Sequence, residues 1–330
     1  MPELRQDPFT HDWVIYARER SKRPDEFNKH TPGPLLPEYS EYCPFCPGNE
    51  HMTPEAHALY EREGAWQIRV VPNKFAALKT EGDTTRQGTA FFRWMNGYGR
   101  HEVLIETPVH NRYIPFMETE DVERILGAYR DRYHELKKDP NIKIIIIFKN
   151  HGKGAGTSLQ HPHTQMVAAP IVPPQVRRKY EVATQYYDDM GHCLYCDVLQ
   201  EEIRDGRRLV MQTDLLAAFH PYASHYPFET WIMPKRHESS FGNINDGEIK
   251  DLAVMLKSTL LKLYKGLGNP DFNLIIHTSP VDDEHKSYYT WHIQIVPRLI
   301  QLAGFELGSG IMINITMPEE TAEHMRQMSV

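Results

Sequence analysis

Six short runs along the chain are rich in β-branched residues and bounded by Pro, Gly and Asn. They are VLIE (103–106), IIIIF (144–148), TQMVA (164–168), ETWIM (229–233), NLIIH (273–277) and HIQIV (292–296), and each reads as a strand. Two longer stretches have helical spacing instead. Residues 118–138 place Val122, Ile125, Leu126, Tyr129 and Tyr133 on one face, with Thr119 and the acids after it as the expected cap. Residues 246–266 repeat that plan and end at Gly266. Each half therefore reads as strands, one long helix, then more strands. The expected class is α+β, two tandem domains, each an antiparallel sheet with a long covering helix. The boundary falls in 171–190, giving domains 1–175 and 176–330.

The two halves also repeat their chemistry. Cys43-Pro-Phe-Cys46 is followed by HEVLIETPVH (101–110), IKIIIIFKN (142–150) and HPHTQMVAAP (161–170). Cys193-Leu-Tyr-Cys196 is followed by FETWIMPKRH (228–237), FNLIIHTSP (272–280) and TWHIQIVP (290–297). By spacing, Glu102, Ile105 and His110 match Glu229, Ile232 and His237, while His163 and Gln165 match His292 and Gln294. A divergent internal duplication accounts for this order.

Composition narrows the class. Forty per cent of the 330 residues are hydrophobic and 25% are charged, as in a globular protein. No run approaches the ~18–20 apolar residues that span a bilayer. The net charge of −7 argues against a large nucleic-acid footprint, which needs clustered excess Lys and Arg. The opening MPELRQDPFT has no apolar export segment, so the expected setting is cytoplasmic.

All four cysteines fall in the two C-x-x-C pairs. Without an export signal a disulfide scaffold is disfavoured. A redox dithiol needs a strand before it and a helix after it, and CPFC is followed by Pro-Gly-Asn-Glu. A metal site needs two further ligands. Cys43, Cys46, His110 and His161 supply a Cys2His2 zinc set, two strand-borne histidines completing the tetrahedron. Cys193, Cys196 and His237 supply the corresponding three ligands of a second set. Thr290 stands at the position of His161, and His292, two residues on and on the same strand face, is the expected fourth ligand.

If the strand runs through 161–165, His161, His163 and Gln165 share a face. His161 anchors the strand on zinc and leaves His163 free and rigidly aimed. A neutral imidazole is a competent nucleophile toward phosphorus near pH 7. The preceding stretch NHGKGAGTS (150–158), with Lys153 and hydroxyls among glycines, suits phosphate oxygens.

HPHTQ with this loop resembles the active-site segment of the galactose-1-phosphate uridylyltransferase family, in the histidine-triad superfamily. The likeness extends to RQDPFTHDWVIYARERSKRP, CPFCPGNE, VVPNKFAAL, HEVLIETPVHN and GFELGSGIMIN. It implies that His163 becomes a nucleotidyl-histidine, with Gln165 on the phosphoryl oxygens and Ser158 nearby. It further implies that Arg20 and Arg23 bind phosphate, that Asn73, Phe75 and Asn150 line the nucleotide site, and that Glu306 binds sugar hydroxyls. Zinc and a homodimer are part of the same implication. Thr290 departs from short bacterial relatives, which often carry a zinc-ligating His there.

The leading expectation is a ping-pong nucleotidyltransferase. It moves NMP, foremost UMP, from a nucleoside-diphosphate hexose to a hexose-1-phosphate such as galactose-1-phosphate. The alternative within the class is an ADP-glucose or nucleoside-diphosphate-sugar phosphorylase using inorganic phosphate. The alternative outside it is a non-catalytic, zinc-structured nucleotide-binding module.

Overall fold

The computed structural model describes residues 1–17, 27 and 36–329. All six predicted strands are present, as β7 (Arg100–Ile105), β8 (Ile144–His151), β9 (His163–Ala169), β12 (Thr230–Pro234), β13 (Phe272–His277) and β14 (His292–Pro297). The strands not foreseen are β1 (Glu3–Gln6), β2 (Trp13–Tyr16), β3 (Ala58–Arg62), β4 (Ala65–Pro72), β5 (Gln87–Gly88), β6 (Arg93–Trp94), β10 (Leu209–Gln212), β11 (Leu216–Phe219) and β15 (Met312–Asn314). The two predicted helices are α1 (Thr119–Leu136) and α4 (Asp246–Leu267). The others are α2 (Pro174–Met190), α3 (Leu194–Asp205), α5 (Gly304–Ser309) and α6 (Pro318–Gln327). The segment read as an inter-domain boundary is thus largely helical.

The two predicted sheets join edge to edge. One ten-stranded sheet runs β10-β11-β12-β14-β13-β8-β9-β7-β4-β3, and its halves meet where β8 pairs antiparallel with β13. Read outward from that junction, the order 13-14-12-11-10 mirrors 8-9-7-4-3. The duplication is therefore built as a pseudo-twofold about the β8/β13 seam. A small separate sheet joins β1, β2 and β15.

α1 and α4 lie side by side on one face. The α1 stripe Val122, Ile125, Leu126, Tyr129 and Tyr133 is buried as its spacing predicted. One core holds it together with Leu104, Ile145, Ile147 and Met166 of the first half and Ile232, Ile276, Ile293 and Ile295 of the second. On this helix face the two halves share that one core. Two helix ends differ from expectation. Thr119 is the first helical residue of α1, and no side chain caps that end. α4 runs past Gly266 to Leu267 and stops at Gly268, whose φ of 68° is the left-handed cap. Its start is capped reciprocally by Asn245 and Glu248.

The opposite face of the sheet differs between the halves. In the second half it is covered. Tyr180 and Ala183 of α2 and Leu194, Tyr195 and Leu199 of α3 pack with Phe9 onto Phe219, Trp231 and Met233. In the first half, β8 alternates buried Ile145, Ile147 and Lys149 with half-buried Ile146, Phe148 and Asn150, and a cavity opens beside it.

Candidate active site and metal centres

Cys43, Cys46, His110 and His161 are all buried, with ligand atoms within 4.8 Å of one another. Cys46 Sγ lies 3.5 Å from His110 Nδ1 and 3.6 Å from His161 Nδ1, and Cys43 Sγ lies 3.7 Å from His161 Nδ1. Bonds of ~2.0–2.3 Å to one tetrahedral zinc require such edges. The His161 ring is also set correctly. Its Nε2 donates to the carbonyl of Thr107 at 2.7 Å, so Nδ1 carries the lone pair that faces the two sulfurs. The donor set fits a metal ion, with zinc the chemistry that two thiolates and two imidazoles select. Both histidines lie just beyond strand ends rather than within strands. Pro162 has no N–H to give the ladder, so β9 begins at His163 and the last backbone bond runs from Glu106 N to Pro162 O.

The second set is Cys193, Cys196 and His237. Cys193 precedes α3 and Cys196 lies in its first turn. The fourth corner belongs to Thr290, whose Oγ1 is 3.6 Å from Cys193 Sγ, 3.7 Å from Cys196 Sγ and 3.3 Å from His237 Nδ1. His292 is not part of this cluster, contrary to the expectation from strand alternation. It is fully buried, with its ring stacked at 4.2 Å on Trp231 and 4.7 Å on His277. Its Nδ1 sits 3.2 Å from the Thr290 carbonyl, the same backbone contact that His163 makes in the first half.

His163 is buried, only 7% exposed, yet forms part of the wall of a cavity of about 1220 Å³. Its Nδ1 donates to the His161 carbonyl at 2.8 Å. Since a carbonyl only accepts, the lone pair is on Nε2. Burial, then the nearby Lys149 charge, pushes the imidazole below its ordinary value. The same cavity wall includes Asn150, Lys153, Ser158 and Lys149. Beneath the strand, on its helix side, Lys149 Nζ donates to Glu106 at 2.8 Å and to the His163 carbonyl at 3.2 Å. Glu106 also accepts from Thr164 at 2.6 Å and Tyr129 at 3.1 Å. Burial would raise the Glu106 carboxyl, but Lys149 and these donors outweigh it and hold the group below the usual carboxylate range.

Gln165 points to the same side as His163 but lies outside the cavity wall. Its Oε1 accepts from His101 Nε2 at 2.8 Å and Asn73 Nδ2 at 3.5 Å. Asn73 Oδ1 accepts from the Phe75 backbone N at 2.9 Å, and the Phe75 ring is 83% exposed. Glu306 is not in the cavity wall; its carboxylate takes the Ala303 N–H at 3.0 Å to close the first turn of α5. Arg20 and Arg23 lie outside the described residues.

Strand register corrects one detail of the duplication. Val103 faces Gln165, and Trp231 faces Gln294. The structural counterpart of Glu102 is then Thr230, not Glu229, so the match by spacing was one residue out. Glu229 takes the place of His101, and its Oε1 accepts from Gln294 at 2.7 Å. Glu102 instead points toward α1 and pairs with Arg132 at 2.8 Å. In the second half the Trp231 ring and Tyr195 fill the space against His292. Of the two histidines, His163 is the one that borders the cavity of about 1220 Å³.

A profile of the galactose-1-phosphate uridyl transferase N-terminal domain matches residues 1–173, and one of the C-terminal domain matches 178–329. The chain belongs to the galactose-1-phosphate uridylyltransferase family. It is an enzyme of that family, the first profile ending just before α2 and the second beginning within it. An ADP-glucose phosphorylase from Arabidopsis thaliana is 37% identical over 100% of this chain and 93% of its own. A galactose-1-phosphate uridylyltransferase from Thermotoga maritima is 30% identical over 100% and 99%. The crystal structure of the Arabidopsis thaliana ADP-glucose phosphorylase with bound ADP-glucose superposes with a TM-score of 0.85, at 34% identity and full coverage of both chains.

Lys149 and Glu106 were not singled out from sequence. Their signal was available: one Lys interrupts IIIIFKNH and one Glu closes VLIE, and a charge in an apolar strand needs a buried partner.

Proposed function

We propose that this enzyme transfers a nucleoside monophosphate from a nucleoside-diphosphate hexose by way of a nucleotidyl-His163 intermediate. The observation that carries the reading is the His163 ring: Nδ1–H fixed on the His161 carbonyl, and the lone-pair Nε2 on a ring that borders the cavity. Nε2 attacks the α-phosphorus, the N–P bond forms, and the bond from phosphorus to the bridging oxygen breaks. Hexose-1-phosphate leaves. An oxygen of the second substrate then attacks the same phosphorus, and the N–P bond breaks to return neutral imidazole. In this reading Lys153 and Ser158, both in the cavity wall, take phosphate oxygens, and Asn150 the nucleotide or sugar. The Oε1 of Gln165 is already engaged, so its amide N–H is the end left to donate to the phosphoryl group. Zinc at Cys43, Cys46, His110 and His161 supplies a rigid brace for His161, hence for the carbonyl that orients His163.

ADP-glucose as donor and inorganic phosphate as acceptor is the substrate pair favoured, because the Arabidopsis thaliana ADP-glucose phosphorylase is similar over the full length of the chain. The products would be ADP and glucose-1-phosphate. UMP transfer to galactose-1-phosphate is the second reading, supported by the Thermotoga maritima relative. A homodimer and a cytoplasmic setting complete the proposal, the former tested by light scattering.

Incubating the protein with ADP-glucose or UDP-glucose without acceptor should leave an adduct of AMP or UMP mass on the peptide containing His163. Phosphate should discharge it in the phosphorylase case, galactose-1-phosphate in the other. No adduct from either donor sinks the reading.

A further inference from the structure

The glycine-rich loop between β8 and β9 is held by the other half of the chain. Asn269, Asp271 and Asn273 are alternate residues at the start of β13; the first bonds to His151 at the end of β8 and the other two to the loop itself. Asn269 Oδ1 lies 3.0 Å from His151 Nε2. Asp271 Oδ2 accepts the Gly154 N–H at 2.5 Å. Asn273 Nδ2 donates to Asn150 Oδ1 at 2.7 Å and to the Ala155 carbonyl at 2.9 Å. Arg298 fixes this segment from behind, through its backbone N to Asp271 O at 2.7 Å and its Nε to Asn273 Oδ1 at 2.6 Å.

The glycines report which contact is tightest. A Cβ at Gly152 would stand 1.7 Å from Asp271 Oδ1, and one at Gly154 would stand 2.7 Å from Oδ2. At Gly152 the φ of +81° adds a second objection to any side chain. Gly156 is different: its φ is +88°, but a Cβ there meets nothing within 4 Å. Gly156 answers to backbone sign alone, whereas Gly152 and Gly154 make room for the Asp271 carboxylate. Asp271 itself reaches the cavity wall. A carboxylate beside a phosphate-binding cavity opposes its ligand electrostatically, so its place there needs another use.

We infer that Asp271 is the positioning residue of this loop, setting Lys153 and Ser158 relative to His163. The inference rests on the reading that the loop receives the donor's phosphates. The Asp271 carboxylate takes the Gly154 N–H, and a charge-assisted bond to a glycine-flanked amide pins a chain that glycine leaves loose. The second half thereby contributes to a site whose nucleophile lies in the first.

The test uses full-length protein: wild type, Asp271→Ala, Asp271→Asn, Gly154→Ala, and the double variant that joins Asp271→Ala to Gly154→Ala. Two readouts are taken: amide hydrogen exchange, and the single-turnover rate of nucleotidylation by ADP-glucose and UDP-glucose per zinc-loaded protein. In Asp271→Ala the amides of 152–158 should exchange at least about 10-fold faster while those of 163–169 do not change. Its labelling rate should fall about 10- to 100-fold, the scale of a misplacement near 1 Å. Asp271→Asn keeps an acceptor in place and should recover most of the rate. Gly154→Ala, whose φ is ordinary and whose Cβ would meet only Asp271, should resemble Asp271→Ala and add nothing to it. Unchanged loop exchange, an unchanged labelling rate, an Asn variant as slow as Ala, or losses that multiply in the double variant would each overturn the inference. If wild type takes no label from either donor, the functional reading fails, and the exchange result still decides whether Asp271 pins the loop.

Discussion

The Nδ1 of His163 lies 2.8 Å from the carbonyl oxygen of His161, so the backbone of one histidine sets the tautomer of the other. His161 is set the opposite way, its Nε2 donating to Thr107 O at 2.7 Å. Two histidines separated by one proline thus offer different nitrogens, Nδ1 toward Cys43 and Cys46 and Nε2 from His163. Their replacements should fail differently. His163→Ala should keep its metal content and thermal midpoint but take no nucleotide label. His161→Ala should lose metal and thermal stability, with activity falling as the strand loosens. Metal analysis with a melt of each variant checks this, and a His163→Ala protein that loses metal refutes the division.

The two cysteine sets should separate in a metal count. Zinc-replete protein should hold up to two equivalents, and Cys43→Ser should remove one and destabilise the fold, because a structural metal contributes to folding directly. Thr290 occupies the fourth corner of the other set, 3.3 to 3.7 Å from its three ligand atoms. Thr290→His should complete that set and slow zinc loss to a chromophoric chelator at least about 10-fold, within the span that metal-site neighbours command. An unaltered loss rate would mean that the second set holds no ion.

Lys149→Met leaves Glu106 fully buried without its cation. Breaking such a pair costs about 3–5 kcal/mol, read as a lower urea midpoint. Adding Glu106→Gln should recover much of that loss, since it removes the uncompensated charge. A Lys149→Met protein as stable as wild type would show that the pair is not buried as described.

His220 gives a pH signature away from either metal set. It is fully buried, its Nδ1 2.7 Å from Thr321 Oγ1, and burial pushes it down to about 3. An unfolded histidine titrates near 6.5. Below that value the unfolded chain binds a proton that the native chain refuses, so this group's stability is present above pH 6.5 and is lost as pH falls. The slope approaches about 1.4 kcal/mol per pH unit. Urea titrations of wild type and His220→Phe from pH 7 to 5 should show a shallower decline in the variant, and parallel declines would refute the assignment.

Much of this protein is local and was legible in its sequence. The apolar runs became β7, β8, β9, β12, β13 and β14 because period-two burial and flanking breakers act within a few residues. The stripe of α1 was legible for the same reason at helical spacing. Cys43, Cys46, His110 and His161 were found because few residue types bind zinc and the chain repeats their order. Register was not legible: Trp231, not Thr230, lies opposite Gln294, because a one-residue difference leaves spacing almost unchanged yet turns each side chain to the other face. His292 was misassigned for a related reason, since alternation says which face a residue takes but not whether rings already fill it. Asp271 carried no sequence signal at all. It is 117 residues from Gly154, and only the pairing of β13 with β8 brings its carboxylate to that amide.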